Sequence, residues 1–70
     1  MVSNNHTTEA VYTFIKQYME EWGLPPSQRE IADGCYIARS AVVRHLDKLE
    51  AQGRIALIPG KSRGIRLLKK

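Results

Sequence analysis

Arg39, Ser40, Val43 and Arg44, with Lys48 one helical turn beyond, are the densest group of ligand-holding side chains in the sequence, and Lys61-Ser62-Arg63 inside Pro59-Gly60-Lys61-Ser62-Arg63-Gly64 is a second. Arginine carries a planar fork of donors that fits the acceptor edge of guanine, and serine can donate or accept. A β-branched Val43 on an otherwise polar face is unfavourable unless it meets an apolar group, and a thymine methyl is one such group. Arg44 can reach a base or a phosphate, whereas Lys48 is placed as a backbone contact. Two cations and a hydroxyl on a tight turn suit a phosphate or the minor groove. The ligand that uses all of these together is duplex DNA.

Other chemistry has little support in the residues. Cys35 is the single cysteine, so no internal disulfide forms, and His6 and His45 show no ligand spacing with it. Cys35 is expected as buried apolar volume, and His45 at a helix margin with one ring nitrogen bonded. The chain has no grouping of acid, base and nucleophile, so it is not expected to be an enzyme, and no cofactor or metal site is expected. The start MVSNNHTTEA has neither a basic nor an apolar leader region, and no apolar run approaches the roughly 20 residues that span a bilayer. A cytoplasmic protein that does not engage a membrane is expected.

Seventy residues with 43% hydrophobic content suffice for one domain, 1–70, near the lower size for a single core. The net charge of +4 is unevenly divided. Residues 1–33 carry two basic and five acidic side chains, net −3; residues 34–70 carry nine basic and two acidic, net +7. Such a division suggests one surface that meets a polyanion and another that stays solvated.

The positioning elements follow from periodicity. Val11, Phe14, Ile15, Tyr18 and Trp22 fall on one face of a helix from about Thr8 to Trp22, with Thr7 or Thr8 as cap, and are expected in the core. Gly23 ends that helix, and Pro25 and Pro26 block its continuation. Ser27-Gln28-Arg29-Glu30 matches a capping box, so a short second helix begins at Gln28 with Ile31 and Ala32 inward. Gly34 is expected to allow the tight turn, and Cys35, Tyr36 and Ile37 to supply apolar bulk between helices. In the third helix Val42, Leu46 and Leu49 share one side, while Ser40, Val43, Arg44 and Asp47 share nearly the opposite side. Gly53 ends it. Ile55–Ile58 and Ile65–Leu68 are β-prone runs around the basic turn, whose two glycines are read as serving unusual backbone angles. An isolated hairpin is marginal in water, so this one should dock through Ile55, Leu57, Ile65 or Leu67. The expected fold is mainly α with a small β-hairpin: a three-helix winged helix-turn-helix.

Glu30-Ile31-Ala32, Ala41-Val42, His45-Leu46, Leu49-Glu50, Gly53 and Pro59 through Leu67, with the preceding Pro-Pro-Ser, resemble the N-terminal DNA-binding domain of LexA repressors, regulators of the bacterial SOS response. The resemblance covers about Val11 to Leu68. It implies a sequence-specific transcriptional regulator, a repressor, in a bacterial or phage cytoplasm at the nucleoid. The third helix would read a double-stranded operator and the wing would touch backbone or minor groove. By position it puts Ser40, Ala41, Val43 and Arg44 at base contacts and Ser62 with Arg63 at the wing, and a homodimer on DNA is a possible partner state.

The sequence departs from that pattern in three places. The turn between the second and third helices is one residue shorter, with Tyr36-Ile37 where the family usually has a glycine. Ala38 stands where a serine usually caps the third helix, which shifts its start to Arg39 or Ser40. The reading-helix residues differ from those of the best-known members, so a different operator is expected. The 70 residues hold neither the Ser-Lys pair nor the Ala-Gly cleavage point of a self-cleaving repressor, so self-cleavage is not expected. A rival reading from another class is a winged-helix protein-protein interaction module, with Val43 seated in a partner's apolar pocket.

Overall fold

Helix α1 (Thr8–Trp22) stops where Gly23 adopts a left-handed φ of 75° and donates its N–H to the Met19 carbonyl at 2.9 Å. The chain is seen in a computed structural model that describes residues 8–61 and 63–68. Thr7, the alternative cap for α1, lies outside the described residues. Helix α2 (Gln28–Cys35) opens on the expected capping box: Ser27 Oγ accepts from Glu30 N at 3.1 Å, and Ser27 N donates to Glu30 Oε1 at 2.9 Å. Helix α3 (Arg39–Ala51) follows a short turn, with Ala38 at the N-cap and no side-chain capping bond.

Strands β1 (Ile55–Leu57) and β2 (Ile65–Leu67) pair antiparallel, Ile55 opposite Leu67, Ala56 opposite Arg66 and Leu57 opposite Ile65. Each is one residue shorter than its β-prone run. The hydrogen bonds nevertheless continue past the ends, from Ile58 N to Gly64 O at 2.8 Å and from Leu68 N to Arg54 O at 2.9 Å. The hairpin docks as expected: Ile55 and Ile65 join the core, and Leu57 and Leu67 pack against it.

Val11, Ile15, Ile31, Ala32, Val42, Leu46 and Leu49 complete that core, one shared interior to which all five elements contribute. His45, at the margin of α3, is half-buried, and its Nδ1 is hydrogen-bonded to Thr8 Oγ1 at 2.9 Å, which joins α3 to the first turn of α1. A second clasp joins α1 to the residue just before β1: the Arg54 guanidinium pairs with the Glu9 carboxylate and lies 3.9 Å from the Tyr12 ring centroid.

Expectations at five residues are corrected. Tyr18 and Trp22 lie in the direction of the buried stripe but do not pack on the core: the fully buried residues of α1 end at Ile15, with Met19 packed against the edge, and Trp22 is 62% exposed with the Tyr18 ring 6.1 Å away between centroids. Tyr36 is 87% exposed and contributes no interhelical bulk, whereas Cys35 and Ile37 do pack on the core. Tyr36, with φ 58° and ψ 45°, makes the left-handed turn that ends α2, and Gly34 sits inside the helix instead. Gly34 serves close approach: a Cβ there would lie 2.3 Å from Phe14 Cε1. Gly64 likewise answers a steric demand, since its Cβ would lie 2.4 Å from the Ile58 carbonyl oxygen; of the two tip glycines, Gly60 has the positive φ, 81°.

Candidate nucleic-acid interface

Burial of Val42, Leu46 and Leu49 on one side of α3 forces Arg39, Ser40, Val43, Arg44, Asp47 and Lys48 to the other, where all are exposed. Ala41 is half-buried at the edge of that face. Val43 keeps 41% of its surface exposed and does not pack on the core. Among the described residues, Arg39, Arg44, Lys48 and Lys61 take part in no side-chain hydrogen bond or ion pair. Because Ala38 supplies no side-chain acceptor, the first-turn N–H groups of α3 have no capping partner from that side chain and add positive potential beside Arg39.

The hairpin tip lies on the same side. Arg39 at the start of α3, Arg29 in the first turn of α2, and Gly60, Lys61 and Arg63 of the tip line one groove with Ser27 and Gln28. Ala41, Arg44, His45 and Lys48 line a smaller depression further along α3. The two residue groups singled out in the sequence therefore share one groove at their edges, through Arg39 of the first and Lys61 and Arg63 of the second. Ser62 lies outside the described residues.

Arg63 differs from its neighbours. Its Nη1 donates to Glu30 Oε1 at 2.6 Å and to the Pro25 carbonyl at 2.9 Å, and its Nη2 donates to Glu30 Oε2 at 2.8 Å. The Tyr18 hydroxyl stands 3.5 Å from Nη1. This fork, reinforced by the Ser27 N–H, lowers the Glu30 carboxyl to about 2 and raises the Arg63 guanidinium above its ordinary value. Cys35 is half-buried, and burial pushes its thiol up. Among the described residues no three His, Cys, Asp or Glu side chains converge to hold a metal ion, and no helix is long and apolar enough to cross a membrane.

This arrangement of capped short helix, uncovered third helix and basic wing coincides with a family match: the model of the LexA DNA-binding domain matches residues 6–64. The chain belongs to that family. The LexA repressor of Cellvibrio japonicus (strain Ueda107) is 45% identical over 60 residues, 84% of this chain and 30% of that repressor. The LexA repressor of Clostridium tetani (strain Massachusetts / E88) is 38% identical over 69 residues, 97% of this chain and 34% of the repressor. That of Listeria welshimeri serovar 6b is 44% identical over 59 residues, 83% and 29% of the respective chains. The chain thus spans about a third of the length of these curated relatives.

Within this LexA-type domain, sequence reasoning missed Arg29 and Gln28 in the groove and the second engagement of Glu30. Arg29 and Gln28 sit inside a capping box, and the box says where a helix starts but not which neighbour its exposed side faces. The signal for Glu30 was present only as charge: an acidic residue next to Arg29 in the acidic half and an arginine in a basic turn, 33 residues apart.

Proposed function

We propose that this chain is the operator-binding domain of a LexA-type transcriptional repressor, which lays α3 in the major groove of double-stranded DNA and sets its wing against the backbone or the adjacent minor groove. The observation that carries the reading is the uncovered side of α3, with Arg39 and Lys61 lining one groove. A major groove about 12 Å wide admits one helix, and the N-terminal half of that helix reaches base edges. Arg39, Ser40, Ala41, Val43 and Arg44 occupy that half and read bases. Lys48, Lys61 and Ser62 serve the sugar-phosphate backbone, and Arg63, the fourth of the residues singled out for that role, holds the wing in place through its contact to Glu30.

Its action is occupancy of a promoter in a bacterial or phage cytoplasm, without catalysis of its own. Two copies would bind a twofold operator, with half-sites set one helical turn or a multiple of it apart. Selection of bound duplexes from a random pool, followed by affinity measurements across salt, tests the reading. Three to five phosphate contacts per protomer give a log–log salt slope of about −3 to −5. Arg44→Ala should cost about 1 to 3 kcal/mol and alter base preference, whereas Lys61→Ala should weaken all sequences alike. Weak, salt-independent binding to every duplex, with a stoichiometric protein partner that survives nuclease, would replace this reading with that of a protein-interaction module.

A further inference from the structure

As a sequence, Lys61-Ser62-Arg63 offers two equivalent cations to a phosphate, but the fold treats them differently. Lys61 stands exposed on the groove. The Arg63 guanidinium is spent on Glu30 through both Nη groups, at 2.6 and 2.8 Å, and on the Pro25 carbonyl at 2.9 Å. A bidentate guanidinium–carboxylate contact fixes direction as well as distance, because both planes must align. The acceptor is itself held, since Glu30 Oε1 also takes the Ser27 N–H at 2.9 Å as half of the capping box. A three-residue by three-residue hairpin has little stiffness of its own. Its tip is thereby tied, 33 residues away in sequence, to the capped start of α2.

We propose that Glu30 is a positioning residue for DNA binding: through Arg63 it braces the wing against the capped start of α2, so that Lys61 and Arg39, which line one groove, grip one run of phosphodiesters together. The inference rests on the DNA-binding reading above. It carries an unusual sign. A glutamate beside a polyanion's seat opposes binding by simple Coulomb repulsion, and its removal should then tighten the complex. A brace demands the reverse.

The test uses the chain, a duplex that the wild-type chain selects from a random pool, and a scrambled duplex of equal length, with binding followed by fluorescence anisotropy across salt. Glu30→Gln keeps an amide oxygen for the Ser27 N–H while losing the ion pair. Arg63→Lys leaves the capping box untouched and preserves the cation, so it reads the brace even should Glu30→Gln fold poorly. Each variant is expected to bind both duplexes about tenfold more weakly, with the salt slope shallower by about 1, the loss of one phosphate contact. The amide of Lys61 should exchange faster with solvent in both. Lys61→Ala, costly in the wild type, should add less than about twofold to either variant, because contacts that act as a unit are not additive. Wild-type affinity or tighter in both variants, with the full Lys61→Ala loss retained, overturns the brace alone. Absence of any salt-dependent duplex binding by the wild-type chain overturns the DNA reading and the brace with it.

Discussion

The Glu30 carboxyl, held to about 2 by Arg63 and the Ser27 N–H against an ordinary 4.5, ties wing stability to pH in one direction. A carboxylate depressed by folding contributes its full stabilisation above its unfolded value, and that contribution is lost as pH falls through the folded value. The stabilisation that the wing contact supplies should therefore be full from neutral pH down to about 4.5 and be lost between there and about 2, where the folded carboxyl itself protonates. A carbon-13 titration of the side-chain carboxyl reads this directly, and an inflection at the ordinary value would contradict the contact. Tyr36 and Gly34 give opposite expectations for neighbouring positions. Tyr36 holds a left-handed φ of 58° while 87% exposed, so Tyr36→Gly relieves strain and forfeits little packing. It should stabilise the chain by about 1 kcal/mol, raising the melting temperature by roughly 4–8 °C. Gly34→Ala gains about 1 kcal/mol of helix propensity but drives a Cβ to 2.3 Å from Phe14 Cε1, and a net loss of about 1–2 kcal/mol is expected in the same thermal melts.

Helix α3 begins without the side-chain acceptor that its position favours, since Ala38 has no group to bond the first-turn N–H donors. Ala38→Ser should restore that bond and stabilise the chain by about 1 kcal/mol in thermal unfolding, and no change would show that those amides are satisfied otherwise. The boundaries of α1 and α2 were legible because they are local: Gly23 with two prolines, and Ser27 with Glu30 three residues on, act within a single turn of chain. The two sides of α3 were legible because Val42, Leu46 and Leu49 repeat at helical spacing. What periodicity cannot tell is how far a partner surface extends. It therefore put Trp22 in the core, where α1 in fact outruns the interior, and gave Tyr36 to the packing when the turn between α2 and α3 needed it as the left-handed residue. Gly34 was misplaced for a related reason: a glycine near a helix end is read as conformational freedom, while here it answers the bulk of a ring on another helix. The exposed side of α3 could be read from sequence alone, but the Arg29–Arg39–Lys61 groove required the hairpin to fold back beside α2.

Charge is sorted by the fold as well as by the sequence. The acidic first half lends Glu9 to Arg54 and Glu30 to Arg63, so two cations of the basic half are neutralised in contacts between elements. Arg39, Arg44, Lys48 and Lys61 keep their charge unpaired among the described residues and lie along the helix side and groove that would meet DNA. That distribution favours oriented encounter with a polyanion, at a rate that falls as salt screens the field. Titration of the isotopically labelled chain with its selected duplex, followed by backbone amide shifts, tests this placement most directly. Arg39 through Lys48 and the tip from Gly60 to Arg63 should show the large changes, with the exposed side of α1 from Glu9 to Glu21 quiet. Large shifts confined to α1, with Ser40, Val43, Arg44 and Lys61 unmoved at saturating duplex, would contradict the account.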